Sequence, residues 1–421
     1  MNVSSWRKKS LWSISSRFIA AGLAFALNSL LAKSMSKDDM GLFFISLSVA
    51  WGGSLIAQWG TSILAVKWVA FAQVNGDSKA TRVAVWSLII FTVLQGLPVA
   101  LGILIFSGLS LKSLIWAAWV ISISLQNLLP EVLRGFNDIK WASLLSGPIP
   151  QLFSVAAIAM AHFLLKDVGF EIVAPLIIIS SLACSAFGIM IVISRAHFTF
   201  QLHSYRGFLI ESTPIALSLG ATYILSQADL WACGTLLARS DVAVYGIAQR
   251  FNAIISMPMM IFGSVVMPTL AELMAKGDLK RLHSVVSRGT FITSVCTLTV
   301  YLGAGLVGFP AMRILFGEAY TAAFPLFMIL GLGQVLSAVS GPNGYLLLLC
   351  GQQKAAMVAT LAAVVVLVAS AWFGGTYFGA IGIASASTLA LTVQTIWMWT
   401  QVRSRIKISS HFQWISNWRD V

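Results

Sequence analysis

The sequence predicts an all-α polytopic membrane protein, with about twelve transmembrane helices in two six-helix lobes that are related by a parallel repeat. Of the 421 residues, 58% are hydrophobic, only 10% are charged, and the mean hydropathy is +0.87. A soluble globular domain is about a quarter charged, so these polar side chains are too few to cover a water-exposed surface. The composition therefore excludes a soluble enzyme, a disordered chain and a secreted disulfide scaffold.

Apolar runs long enough to span a bilayer recur along the whole chain, since a spanning helix needs about 20 residues. We predict twelve of them, near residues 11–32, 42–66, 83–106, 114–133, 142–165, 172–194, 208–237, 243–270, 285–309, 322–349, 355–374 and 379–400. Backbone groups at bilayer depth must be hydrogen-bonded internally, and the runs are too long for barrel strands, so each run is predicted to be a helix. The first run is too long for a signal peptide and is expected to be retained.

Lys and Arg residues divide unequally between the two sets of predicted connections. With the N-terminus in the cytoplasm, 18 of them lie on the cytoplasmic side, 6 lie on the outer side, and three lie inside runs. Positive residues favour the cytoplasmic side, so we expect both termini to be cytoplasmic. This topology also accounts for the net charge of +13, because no basic cluster is large enough to indicate nucleic acid.

The longest central connection, residues 195–207, divides the chain into halves that resemble each other. LLAKSMSKDDMGLF leads into the second run, which ends at an Asn-Gly-Asp turn, and LLARSDVAVYG leads into the eighth, which ends at Lys-Gly-Asp. Six helices separate equivalent points, so the two repeats have the same orientation in the membrane. We predict an N-terminal lobe over 1–200, a C-terminal lobe over 201–400 and a basic amphipathic cytoplasmic tail over 401–421.

The tail has an apolar face that is typical of a helix lying on a membrane surface. Ile408, Phe412, Ile415 and Trp418 follow one another at spacings of 4, 3 and 3. The alternative is a frayed basic tail without regular structure.

Polar residues within the runs are the candidate substrate-binding residues, because intramembrane polar groups are costly and often mark a substrate path. The candidates are Arg17, Asn28, Gln58, Asp229, Arg250 and Asn252. Arg17 shares a helix face with Asn28, and it either extends to the lipid headgroups or lines a cavity for an anionic group. Gln58 shares a face with Ser54 and Thr61, which would bind either sugar hydroxyls or neighbouring helices.

Asp229 and Arg250 lie in consecutive predicted helices and allow two interpretations. They form a buried structural ion pair, since a lone buried charge is costly. Alternatively, Arg250 contacts a phosphate, and Asp229 is its ion partner or the ligand of a coupling ion, H⁺ or Na⁺. The sequence has no P-loop, no metal-ligand spacing among its five histidines and no catalytic arrangement of side chains, so neither an enzyme nor a resident cofactor is expected.

Several segments resemble the polysaccharide repeat-unit flippases of the multidrug/oligosaccharidyl-lipid/polysaccharide exporter superfamily. They are DDMGLFFISLSVA, the tripeptide at 228–230, SDVAVYGIAQRF, ILFGEAYTAAFPLFMIL, LLLLCGQQKAA and YFGAIGIASAS. These segments occur in the expected order over essentially the whole chain.

The resemblance implies two lobes around a central cavity that opens to each side of the bacterial inner membrane in turn. The implied cargo is an oligosaccharide repeat unit on a polyprenyl diphosphate, moved to the outer leaflet for surface polysaccharide synthesis. Arg17 and Arg250 become candidates to face that cavity. Membrane lipids, a polysaccharide polymerase and chain-length machinery are the implied partners, and nucleic acid is not.

Two other functions compete with this one. A MATE-type drug or small-cation exporter would need an acidic cavity. The predicted apolar runs instead contain three Arg and one acidic residue far from the ends of its run, Asp229. An integral-membrane polymerase or ligase would need a long outer loop for its chemistry, and every predicted outer loop is short.

Overall fold

A computed structural model describes residues 3–108, 110–165, 168–406 and 410–411, and these residues form helices without strands. The helices are α1 (Val3–Ser34), α2 (Lys37–Gln58), α3 (Thr61–Val74), α4 (Ser78–Ser107), α5 (Leu111–Gly135), α6 (Ile139–Leu145), α7 (Pro148–Leu165), α8 (Phe170–Arg195), α9 (Tyr205–Leu236), α10 (Arg239–Ala275), α11 (Leu279–Phe316), α12 (Ala323–Ser340), α13 (Asn343–Leu349) and α14 (Gln353–Arg405). A short 3₁₀ turn, Glu318–Tyr320, follows α11. Ten helical stretches in this part of the chain are long and apolar enough to cross a membrane.

The predicted all-α membrane fold is confirmed, and each of the twelve apolar runs is helical over most of its length. Helix α14 holds the last two runs, because Gly379 has non-helical torsions (φ 59°, ψ −141°) and separates two helical segments. Gly374 and Gly382 pack backbone to backbone beside this turn, where a Cβ on Gly382 would lie 2.0 Å from the Gly374 carbonyl oxygen. The eighth run lies in α10, which also carries charged residues.

Three of the runs are broken into two helices each, a feature that their apolar sequence does not reveal. The second run divides between α2 and α3, the fifth between α6 and α7, and the tenth between α12 and α13. At the first break, Trp59 and Gly60 have positive φ angles of 41° and 85°. A side chain at position 60 would lie 3.0 Å from the Ser212 carbonyl oxygen, so glycine allows the close approach of α9.

The two Gly-Asp turns of the repeat have the same backbone geometry. Gly76 and Gly277 have φ angles of 67° and 69°. Each turn is closed by two hydrogen bonds from backbone amides. The donors are Gly76 and Asp77 in one half and Gly277 and Asp278 in the other. Each aspartate then caps the following helix through its side chain. This shared geometry supports the parallel repeat that the sequence predicts.

The chain divides into two compact units, Met1–Gly220 and Ala221–Val421. The division lies inside α9, whereas the sequence places it near residue 200. The first half of α9 packs on the N-terminal unit, where Phe208 is buried in its core and Thr213 accepts a hydrogen bond from the Trp59 indole at 3.1 Å. Contacts made by α9, rather than the polar connection, therefore determine the boundary.

Part of the tail packs against the C-terminal unit. Ser410 is buried, its carbonyl oxygen accepts from Thr290 Oγ1 at 3.0 Å, and its hydroxyl lies 2.5 Å from Asn343 Oδ1. The four residues of the predicted amphipathic face lie outside the described residues.

Candidate functional site

Asp229 of α9 is the acceptor at the centre of a buried hydrogen-bonding cluster in the C-terminal unit, and its exposed fraction is 4%. Its Oδ1 accepts from Gln249 Nε2 at 2.9 Å and from the Leu230 amide at 2.8 Å. Its Oδ2 accepts from the Tyr245 hydroxyl at 2.8 Å and from the Ser387 hydroxyl at 3.0 Å. Both carboxylate oxygens are thus paired with donors.

Three helices supply the donors to this carboxylate. Tyr245 and Gln249 are four residues apart in α10, so they lie on one face of that helix. Ser387 lies in the second segment of α14, after the turn at Gly379. A carboxylate surrounded by hydroxyl and amide groups can bind a proton or a small cation such as Na⁺ when these donors reorient.

Arg250 is not among the donors to Asp229, whose bonds within the described chain all come from neutral groups. Of the two interpretations, the direct ion pair is therefore not among the bonds of this cluster. Helical geometry gives the reason, since one residue turns the side-chain direction by about 100° and Gln249 occupies the position that faces Asp229. Arg250 is partly buried elsewhere on α10.

Asn252 is also partly buried, and its Oδ1 is an inaccessible acceptor without a hydrogen-bond partner in the described part of the chain. Residues two apart in a helix point to different sides. Arg250 and Asn252 therefore do not share a face of α10, although the sequence groups them as candidates.

The three candidates of the N-terminal unit differ in their surroundings. Arg17 is exposed on α1, whereas Asn28 is buried on the same helix and donates to the Ala24 carbonyl oxygen at 2.6 Å. Gln58 is 3% exposed and lies at the end of α2. Its neighbour Thr61 pairs with Thr92 of α4 at 2.9 Å, which supports the interhelical alternative for this polar face.

The sequence did not predict one polar cluster of the N-terminal unit. Lys67 Nζ lies 2.6 Å from Glu211 Oε1, and the Trp68 indole donates to Glu211 Oε2 at 3.2 Å. These residues border a cavity of about 530 Å³ between the end of α3, the start of α4 and α9. We name it the α3–α9 cleft and define it by Lys67, Trp68, Phe71, Asp77, His203 and Glu211.

The charged residues of this cleft are conspicuous in the sequence, because they border apolar runs. The Lys67–Trp68 pair directly follows an apolar run, and a single acid, Glu211, lies near the start of the seventh run. Their separation of 144 residues conceals the contact. The described residues contain no group of three or more His, Cys, Asp or Glu side chains placed to hold a metal ion.

Comparison with solved structures shows the fold. An inward-facing multidrug resistance MATE family transporter of the MOP superfamily aligns with a TM-score of 0.77 and 14% identity, over 94% of this chain and 98% of that one. An outward-facing MATE transporter aligns with a TM-score of 0.69 and 16% identity, over 95% of both chains. The lipid II flippase MurJ in an inward closed conformation aligns with a TM-score of 0.64 and 16% identity, over 94% and 88%.

Two curated relatives also match. The probable low-salt glycan biosynthesis flippase Agl15 of Haloferax volcanii is 22% identical over 385 residues, which cover 89% of this chain and 79% of that protein. The succinoglycan biosynthesis transport protein ExoT of Rhizobium meliloti is 25% identical over 339 residues, which cover 77% and 65%.

Two family models match the sequence. The MatE model matches residues 214–373. The model described as polysaccharide biosynthesis protein matches residues 6–274, which is more than half of the chain. The chain therefore belongs to the polysaccharide biosynthesis protein family.

Proposed function

We propose that this protein is a flippase that moves lipid-linked oligosaccharides across a membrane for polysaccharide biosynthesis. The match to the polysaccharide biosynthesis family over residues 6–274 carries the proposal. Relatives named as a glycan biosynthesis flippase and a succinoglycan transport protein support it. The fold, shared with a lipid II flippase, suits a cargo whose head is hydrated and whose tail is apolar.

The cargo in this proposal is an oligosaccharide on a polyprenyl diphosphate. It enters from the cytoplasmic leaflet of the bacterial inner membrane and leaves in the outer leaflet, and both chain termini are cytoplasmic. Arg17 and Arg250 bind the diphosphate, because guanidinium groups pair well with phosphate oxygens. Asn28, Gln58 and Asn252 contribute amide contacts as the lobes change conformation. A polymerase and chain-length machinery receive the exported unit.

Alternating access supplies the movement. Inward-facing and outward-facing transporter structures both align with this chain over at least 94% of its length. A proton or Na⁺ that binds at Asp229 provides the coupling, since its uptake requires Tyr245, Gln249 and Ser387 to reorient. Because these donors come from α10 and α14, ion binding changes contacts between helices. The cargo crosses without covalent change, and the protein acts as a transporter rather than as an enzyme.

A MATE-type exporter is the second candidate function. The MatE match over 214–373 and the alignment to MATE transporters favour it. An exported organic cation would need a free carboxylate in the helices. The carboxylate of Asp229 is instead enclosed by four donors, which favours the anionic cargo.

The experiment that tests the proposed function is deletion of the gene followed by analysis of the lipid-linked intermediates. Complete repeat units should accumulate on the cytoplasmic leaflet, and surface polysaccharide should be lost. Arg250→Gln should fail to restore export at normal protein level, whereas Lys276→Gln, which alters an exposed residue of a surface ion pair, should restore it. Normal surface polysaccharide in a deletion strain without a second flippase gene would refute the proposal.

A further inference from the structure

The α3–α9 cleft presents charges of both signs within one small cavity. Its volume of about 530 Å³ lies within the usual range for small-molecule pockets, about 300–1,000 Å³. Lys67 and Phe71 are four residues apart on α3, so they share a face of that helix. Asp77 comes from the cap of α4, and Glu211 comes from α9.

The carboxylates of the cleft outnumber its cations. Lys67 is the cation, and its side chain is 69% exposed although it pairs with Glu211. Asp77 uses Oδ1 to cap α4, at 2.9 Å from the amides of Lys79 and Ala80, and its Oδ2 accepts no bond from the residues that the structure describes. Burial lowers the pKa of His203, which disfavours a second cation in the cleft. The net negative charge disfavours a purely anionic ligand.

Apart from Asn75, the remaining wall of the cleft is apolar, and this apolar surface continues onto the outside of the helices. Ala72, Ala80 and Ala84 line the cavity. Phe71 is 71% exposed, and Val74, one turn further along α3, is 86% exposed. In the proposed orientation, the end of α3 lies at the cytoplasmic membrane surface. A ligand of this cleft would therefore contact water, charged side chains of both signs and the acyl chains of the membrane.

We infer that the α3–α9 cleft binds the headgroup of a phospholipid with a primary ammonium, of which phosphatidylethanolamine is the common example. The lipid phosphate accepts hydrogen bonds from Lys67. The ammonium donates to Asp77 and Glu211, and the start of an acyl chain lies along Phe71. This ligand matches each charge of the cleft with its opposite.

Other membrane lipids fit these groups less well. A trimethylammonium head, as in phosphatidylcholine, cannot donate a hydrogen bond to a carboxylate. Phosphatidylglycerol has no cation, and its phosphate would face two carboxylates. A polyprenyl diphosphate also lacks an ammonium group, so the cleft is distinct from a binding site for the proposed cargo.

Native mass spectrometry of the purified full-length protein tests this inference with phosphatidylethanolamine, phosphatidylcholine and phosphatidylglycerol at equal concentrations. We expect phosphatidylethanolamine to bind about tenfold more tightly than either other lipid, which corresponds to about 1.4 kcal/mol. Asp77→Asn should remove most of this preference, and it should leave the fold intact because asparagine also caps helices well. Glu211→Gln should have a similar effect, and Lys67→Met should weaken binding of all lipid phosphates at this site.

Glu272→Gln is the matched control. Glu272 pairs with Lys276 at 2.6 Å on the surface of the C-terminal unit, so this variant also removes an exposed Lys–Glu pair. It should keep the lipid preference. Equal binding of the three lipids to the unaltered protein would overturn the inference, and so would a preference that survives in both Asp77→Asn and Glu211→Gln. The assay measures lipid binding alone. A negative result would therefore not contradict the proposed transport function, and a negative result in the deletion experiment would not contradict the lipid site.

Discussion

Tyr245→Phe removes one hydroxyl from a fully buried site and leaves the ring packing in place. The Tyr245 hydroxyl donates to Asp229 Oδ2 at 2.8 Å, and the residue is 0% exposed. A hydrogen bond to a charged group contributes about 1.5–3 kcal/mol, against about 0.5–1.5 kcal/mol for a neutral pair. Both oxygens of Asp229 accept from donors, as an ionised carboxylate does. We therefore expect Tyr245→Phe to lower the free energy of unfolding by about 2 kcal/mol.

The measurement is unfolding of the purified protein by denaturant in a fixed detergent, with Tyr301→Phe as the matched control. The Tyr301 hydroxyl donates to a neutral acceptor, the Met328 carbonyl oxygen, at 3.2 Å. Removal of this hydroxyl should lower the free energy of unfolding by about 1 kcal/mol. Ser387→Ala combined with Tyr245→Phe should cost more than the sum of the single variants, because Oδ2 then has no donor. Equal losses in Tyr245→Phe and Tyr301→Phe would refute an ionised Asp229 in this cluster.

Three further predictions concern Asp229 and two glycines at points of close backbone approach. Asp229→Asn should abolish ion-coupled export with normal protein level, because an amide cannot release a proton or balance a cation; export assays in the complemented deletion strain test it. Gly382→Ala should lower the midpoint of thermal unfolding strongly, since its Cβ would lie 2.0 Å from the Gly374 carbonyl oxygen. Gly60→Ala should cost about 1–3 kcal/mol, because φ is 85° there and Ser212 is close; the same unfolding assay measures it.

Each of these predictions has an outcome that contradicts it. Unchanged export by Asp229→Asn would exclude the carboxylate from coupling. Gly303→Ala is the control for the glycine variants, because its Cβ would meet nothing within 4 Å in a regular helix. A loss of stability from Gly303→Ala as large as those from the other two would mean that neither close approach nor a positive φ explains their effect.

The helical, membrane-spanning character of the apolar runs was predictable, because length and apolarity suffice to mark a candidate membrane span. The breaks in three of the runs were not, because they depend on contacts between helices that are distant in sequence. Gly60 illustrates this, since its positive φ serves an approach to Ser212 that lies beyond any local pattern. Repeated motifs were more informative, and the Gly-Asp turns at 76–77 and 277–278 share their geometry as the repeat implied.

The candidate site was only partly predictable, for a geometric reason. A buried acid such as Asp229 is visible in an apolar run, but its partners depend on the rotation of neighbouring helices. Arg250 in the next predicted helix was one expected partner of Asp229, and the neutral Gln249 donates to the carboxylate instead. Ser387 lies 158 residues from Asp229, and no sequence pattern marks it as a partner.

The division of the chain after Gly220 has a practical consequence for any attempt to express one lobe alone. A fragment that stops near residue 200, as the repeat suggests, would lack Phe208 and Thr213 and would leave Trp59 and Trp68 uncovered. A fragment that continues to residue 220 keeps these contacts and ends at a glycine whose Cβ position is open. The border of the predicted sequence repeat and the border of the compact units therefore differ, and a fragment designed from the repeat alone would end too early.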